Sequence, residues 1–438
     1  MKIFLFLFLL SHPAGDAPEH IVIISIDGLR PEFYQEGTYR LPTLKKWVET
    51  GIHAVAVEGV FPTLTYPSHA SIVTGVRPDR HGIWSNNKFG KRGGTQAWHW
   101  EASDLKVPTL WEAAKKAGDS VAIIYWPSSV GAKVSWRIPE RWPVFPGETA
   151  PGLLLKLSTP GLLPELALKL GLPKPKEMEK KEVIDRFISG SAAYVLGKYR
   201  PDLMLVHLIQ VDGAQHRYGR TGEELREALE QTDLNLLRIQ GAAKKAGILD
   251  RTCFVVVGDH GFLEVIWNLA PNNLLAKAGL MEFRDGRLSS WKALGHAYGG
   301  SMGVYARDEV SSQLARKVLE EKVRPDGTPF WRIIDRVELN RMGANPTLAF
   351  ALDASEGYGF VSSSREPFLK KRKKKGGVHG YSPHRPEMAT GFVISGAGVR
   401  KGVVPQMKLI DIAPTLARLK GWSLGKVEGT VLPIFTDE

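Results

Sequence analysis

HIVIISIDG, from His20 to Gly28, is an unbroken apolar run that stops at an Asp-Gly pair. With no polar alternate positions, it fits a strand covered on both faces. LMLVHLIQVDG and RTCFVVVGDHG repeat the pattern, each closing on an acidic residue. Between such runs the apolar spacing lengthens to that of a helix. LPTLKKWVETG reads as a helix closed by Gly51, AVAVEGVFP as a second strand and PSHASIVTG as a helix. VPTLWEAAKKAGD is a helix feeding the strand SVAIIYWP, and LREALEQTDLNLLRIQGAAKKAG is a long helix. MATGFVISGAGV supplies one more core strand, and LIDIAPTLARLKG a helix with Pro414 in its first turn and Gly421 past its end. The alternation predicts an α/β fold with a mostly parallel central sheet flanked by helices on both faces.

Two stretches break the rhythm. Residues from about 135 to 181 are rich in Pro and Leu, and residues from about 262 to 378 mix signals, including a strand at Ser301 to Arg307 and the helical LARKVLEEKV. Both read as insertions forming a cap over the carboxyl ends of the strands. Residues 18–438 are otherwise expected to make one domain. Residues 1–17 read as a signal peptide: one lysine, the run IFLFLFLL, too short to span a bilayer, then small residues with Ala14 and Ala17 as cleavage positions. A periplasmic or secreted destination is expected, with no transmembrane helix in the mature chain.

Composition narrows the partners. At 438 residues, with 43% hydrophobic and 24% charged content, the chain is an ordinary globular protein. Its net charge of +12 points to an anionic partner, although part of the excess lies in LKKRKKKGG, Leu369 to Gly377, expected to be a solvated loop. Cys253 is the single cysteine, so no internal disulfide forms, and its place in CFVVVG marks it as a buried small hydrophobe.

Metal-ligand residue types gather at the ends of the expected strands. They are Asp27 after IVIISI, Asp212 and His216 in VDGAQH, Asp259 and His260 after CFVVVG, and His379 in GGVHGY. Each is weak by itself: Asp-Gly after a strand is commonly a turn, and a D-x-x-x-H pair on a helix commonly a surface pair. In an open parallel sheet, however, the carboxyl ends of the strands line one crevice. Three carboxylates and three imidazoles suit two zinc ions.

The order IDGLRP, PTLTYPSH, IVTGVRPDRHGI, HLIQVDGAQHRYG, GDHG and HGY resembles the nucleotide pyrophosphatase/phosphodiesterase family of the alkaline phosphatase superfamily, from Ile21 to Gly421. The resemblance implies an alkaline-phosphatase-like fold and two zinc ions. One would be held by Asp212, His216 and His379, the other by Asp27, Asp259 and His260, with Thr65 as nucleophile and a further ligand. It also implies that Asn86 binds a phosphoryl oxygen, with Asn87 as the other candidate, and that Tyr66 stacks on the group attached to phosphorus. Ser68 departs from the asparagine common in relatives. Thr65 would gain from a helix N-terminus opened by Pro67 at its first position, leaving Thr63 as a structural neighbour. The implied reaction is an in-line displacement on a small anionic phosphodiester or nucleotide through a phosphothreonine-type intermediate, with no specific nucleic-acid binding. A phosphonate hydrolase shares this core. A phosphomonoesterase would need added cations, for which Lys133 and Arg137 are the candidates. A sulfatase would need a C/S-x-P-x-R frame that residues 65–69 do not supply. A zinc-dependent binding protein without turnover would have lost Thr65 or a ligand.

Overall fold

The computed structural model describes residues 17–90 and 95–434. The expected leader therefore lies, apart from Ala17, outside the described residues. Its centre is an eight-stranded sheet. In spatial order the strands are Gly402–Val404, Ile52–Ala54, Phe392–Gly396, Thr252–Val257, His20–Ile26, Leu203–Leu208, Val121–Ile124 and Trp136–Ile138. All neighbouring pairs are parallel except the two made by Phe392–Gly396.

Unbroken apolar runs become one sheet with two cores because alternate residues leave opposite faces. Val22, Ile24, Met204, Val206, Phe254 and Val256 enter one cluster with the helices Lys181–Tyr199 and Glu223–Lys245. Ile21, Ile23, Leu203, Leu205, Cys253 and Val255 enter the other, with the helices Leu110–Lys116 and Ile412–Lys420. Cys253 is fully buried there, as its sequence context implied. Gly421 takes the left-handed φ of 72° that closes the last helix.

Several expectations need correcting. The stretch AVAVEGVFP yields only Ile52–Ala54 and Val57–Glu58, because Val55 and Ala56 carry the chain across to a separate strand pair. The first insertion begins later than residue 135, since Trp136–Ile138 is the edge strand of the main sheet. Beyond it come the helices Ala150–Leu157 and Leu162–Leu170. Within 262–378 lie a three-stranded sheet, a four-stranded sheet and a two-stranded ribbon outside the main sheet. The lysine-rich run is not a loop. It is the strand Leu369–Val378, antiparallel to Leu263–Leu269, with its cations largely exposed. Backbone pairing fixed that strand, and six successive charged positions, Lys370 to Lys375, hid it from an apolar-pattern reading. No helix of the described residues is long and apolar enough to cross a membrane.

Candidate active site

The strands Thr252–Val257, His20–Ile26 and Leu203–Leu208 are neighbours and run parallel, so their carboxyl ends open side by side. Asp259 and His260 follow the first, Asp27 the second, and the third leads into the helix Gln210–Tyr218 that carries Asp212 and His216 on one face. His379 arrives from the end of the strand Leu369–Val378. The result is two groups with ligand atoms close enough to share an ion: Asp212, His216 and His379, and Asp27, Asp259 and His260. They touch, with the His260 and His379 rings stacked at 3.6 Å.

The hydrogen bonds show which atoms are left free to hold a metal. Asp27 Oδ1, Asp212 Oδ1 and Asp259 Oδ2 are buried without any hydrogen-bond partner. Their sister oxygens are satisfied. Asp27 Oδ2 accepts from His207 Nε2 (3.3 Å), Asp212 Oδ2 from Lys181 Nζ (2.7 Å), and Asp259 Oδ1 from the amides of Gly28 (2.9 Å) and His260 (3.0 Å). The orphan oxygens face imidazole Nε2 atoms: His216 lies 3.1 Å from Asp212 Oδ1, and His260 lies 3.3 Å from Asp27 Oδ1 and 3.2 Å from Asp259 Oδ2. Each histidine turns Nδ1 to a backbone carbonyl: His216 to Gly377, His379 to Thr63 and His260 to Gly261. An Nδ1–H held in that way leaves Nε2 as a bare lone pair, the arrangement of metal-binding histidines.

Electrostatics agree. Burial raises Asp27, and the charge of Asp212 raises it further. Burial and then Asp27 push Asp259 well above the usual carboxylate range. Burial also works against the Asp212 charge, but His216, Lys181 and His379 hold it well below its ordinary value. Burial followed by the neighbouring histidine keeps His260 far below its ordinary value and lowers His379 to about 4. Burial opposes charge on His216 as well, but Asp212 raises it above its ordinary value. Buried carboxylates that repel one another, beside the lowered imidazoles of His260 and His379, form a hole for cations. Oxygen and nitrogen donors without sulfur fit zinc among other divalent ions.

Thr65 is 8% exposed, and its Oγ1 sits 3.4 Å from His260 Nε2. It is the first residue of the helix Thr65–Thr74, which places Pro67 third rather than first. The amide contribution is smaller than the sequence suggested, because Tyr66 N–H is taken by Asn86 Oδ1 (3.0 Å) and Pro67 has none. That bond orients Asn86: with Oδ1 engaged, its NH₂ is left to donate into the cavity it lines. Asn87 lines the same cavity. Thr63 serves structure, accepting from Gly380 N–H (3.0 Å) and donating to the Tyr381 carbonyl (2.9 Å), which fixes the His379 loop.

Tyr66 offers no exposed face on which a substrate could stack. Its ring is 0% exposed, packed with Ala70, Ile83, Trp100 and Val130, and its hydroxyl donates to Glu140 Oε1 (2.7 Å). Successive helix residues are rotated by about 100°, so the neighbour of Thr65 faces another way. Arg137 donates to the carbonyls of Leu157 and Ala132, Lys133 is exposed beside that edge strand, and neither lines the cavity beside His216 and His379.

Sequence reading missed a buried polar relay. His207 donates Nδ1–H to Glu140 Oε2 (2.9 Å) and Nε2–H to Asp27, which links Asp27 through Glu140 to Tyr66. Burial opposes its charge, but Asp27 and Glu140 raise His207 to about 10. Lys181 and Asp185 were missed too. Asp185 accepts the amides of Ile209 (2.8 Å) and Gln210 (3.0 Å), anchoring the start of the helix that carries Asp212. A histidine interrupting LMLVHL was the one available signal.

A sequence model described as type I phosphodiesterase / nucleotide pyrophosphatase matches residues 21–382. Venom phosphodiesterase 2 of Crotalus adamanteus is 24% identical over 259 residues, 58% of this chain but 28% of the venom protein. An uncharacterized pyrophosphatase/phosphodiesterase of Schizosaccharomyces pombe is 24% identical over 393 residues, 87% of this chain and 72% of its own length. The chain thus spans little more than a quarter of the venom protein it matches. Human ectonucleotide pyrophosphatase/phosphodiesterase 5 has the same fold, with a TM-score of 0.67 at 17% identity, covering 94% of this chain and 97% of that one. An inactive variant of the murine protein, solved in complex with AMP, superposes with a TM-score of 0.66 at 16% identity over the same shares of the two chains. The central sheet, the order of its motifs and the matched length together establish that this chain belongs to the type I phosphodiesterase / nucleotide pyrophosphatase family.

Proposed function

We propose that this chain hydrolyses phosphodiester or pyrophosphate bonds in small nucleotide-type substrates, using Thr65 as nucleophile in a site that holds two zinc ions. The observation that carries the reading is the convergence of three orphaned carboxylate oxygens and three bare imidazole nitrogens beside the Thr65 hydroxyl. Asp212, His216 and His379 would hold one ion, and Asp27, Asp259 and His260 the other, with Thr65 completing its shell. Bound ions of this kind lower the pKa of a coordinated hydroxyl or water and neutralise charge on phosphoryl oxygens.

The chain's own groups supply the rest. Thr65 Oγ1 attacks phosphorus and expels an alcohol or nucleotide, leaving a phosphothreonine ester that water then opens. Asn86 donates its NH₂ to a non-bridging oxygen, a contribution of roughly 2.7–4 kcal/mol at comparable oxyanion sites. His207 and Lys181 hold the outer oxygens of Asp27 and Asp212, so the inner ones stay aimed. Lys181 is engaged by Asp212, and neither Lys133 nor Arg137 joins these contacts, which favours diesters over dianionic monoesters. The leader-like start, and relatives named as venom or ectonucleotide enzymes, support a secreted or periplasmic destination. A panel of bis(p-nitrophenyl) phosphate, p-nitrophenyl phosphate, ATP and a dinucleotide tests the reading. Turnover confined to the monoester would reject it.

A further inference from the structure

The cavity beside the metal groups encloses about 210 Å³, less than the ~300–1,000 Å³ of sites that swallow a drug-sized ligand. A cavity of that size has room only for the atoms close to the phosphorus of a nucleotide-sized substrate. Besides Asn86, His216 and His379 it is lined by Asn87, His296 and Tyr298, for which the proposed reaction gives no task.

His296 sits on the strand Ala293–Ala297 of the inserted four-stranded sheet. It is 6% exposed, its ring wedged against Phe89 (5.2 Å) and edge-on to Tyr298 (5.1 Å). Among the described residues neither ring nitrogen has a hydrogen-bond partner, neither is sealed off from solvent, and the residue lines the cavity. An imidazole held in a fixed orientation at a cavity wall, with no protein partner, has its hydrogen-bonding capacity free for a ligand that displaces water. Burial alone lowers its pKa to about 4, so the ring is neutral at working pH and offers one donor and one acceptor. A phosphate or carboxylate oxygen could use only the donor. A hydroxyl uses either nitrogen.

We propose that His296 is a specificity-determining residue, which hydrogen-bonds a hydroxyl on a substituent of the phosphorus and so favours diesters of glycerol-like or sugar-like alcohols. The Asn87 carboxamide, half-buried in the same lining, gives such a group a second polar neighbour. The inference rests on the catalytic reading above and adds the substrate class.

The test compares 3-hydroxypropyl p-nitrophenyl phosphate with propyl p-nitrophenyl phosphate, identical but for one hydroxyl. Wild-type kcat/KM should favour the hydroxylated ester about tenfold, carried mainly by KM, a ratio in keeping with one buried hydrogen bond. The ratio should fall to about one in His296→Phe and be largely restored in His296→Gln. His296→Leu replaces the phenylalanine if that variant does not fold, and the wild-type ratio needs no variant at all. Equal wild-type rates on the two esters, or an unchanged ratio in a folded His296→Phe, would overturn the proposal. Turnover of neither ester would instead count against the catalytic reading. Calorimetric binding of 3-hydroxypropyl phosphate against propyl phosphate then decides the role of His296, with equal affinities overturning it.

Discussion

The imidazoles of His260 and His379 lie face to face, ring centroids 3.6 Å apart and planes 8° from parallel. They belong to different metal groups, so this contact sets the spacing of the two groups. Stacked this closely, they cannot both carry charge at modest cost, and burial holds both below their ordinary pKa. The lone pairs stand ready without a proton to displace.

Removing metal should therefore destabilise the fold. In the metal-free site, burial and then repulsion from neighbouring carboxylates raise Asp27 and Asp259. A ligand present at a hundred times its dissociation constant adds about 2.7 kcal/mol. Thermal melting with a chelator should fall by several degrees and recover on adding zinc. An unchanged melting temperature at proven metal loss would contradict this.

Ligand substitutions should act on one group at a time. His379→Ala or Asp212→Ala should reduce bound metal by one ion per chain, and Asp259→Asn should remove the other. Elemental analysis of the purified variants reads this directly. An active wild type free of transition metal would sink the assignment.

Tyr66→Phe deletes one buried hydroxyl whose partner is the Glu140 carboxylate. Hydrogen bonds to charged groups contribute about 1.5–3 kcal/mol. The melting temperature should drop, while kcat/KM changes by the same factor on aryl and alkyl diesters. A loss confined to aryl diesters would restore the stacking role.

His81 gives a pH dependence away from the metal ligands. It is fully buried, its Nε2 bonded to Ser71 Oγ (3.0 Å) and its Nδ1 accepting from Ile83 N–H (3.1 Å). Burial, with a smaller push from His99, lowers its pKa to about 3. The unfolded chain binds this proton near its ordinary pKa of about 6.5, so stability from the neutral ring is intact above that value and declines as pH falls toward 3. The melting temperature of wild type should fall more between pH 7 and pH 5 than that of His81→Gln. Parallel curves would remove His81 from the account.

The legible part of this molecule was the part written locally. Apolar runs ending in Asp27 or Asp259 name both a buried strand and what stands at its end, because a carboxylate is costly inside the core unless a partner such as the one His207 finds is at hand. The short register of Asp212 and His216 carried their shared helix face. Tyr66 was misjudged for lack of helix phase, since adjacency to Thr65 in sequence is not adjacency in direction. His207, Glu140, Lys181 and His296 were invisible because their meaning comes from partners far along the chain, such as the 180 residues between His207 and Asp27. The lysine-rich strand was hidden because backbone pairing with Leu263–Leu269, and not burial, defines it.

The central claim is that Thr65 is the nucleophile of a pre-formed metal site. Metal content and diesterase turnover measured together on Thr65→Ala test it most directly. Two metal ions per chain with turnover of bis(p-nitrophenyl) phosphate reduced by at least about a thousandfold is the expected result. A metal-loaded Thr65→Ala protein turning over at a near-normal rate would contradict it.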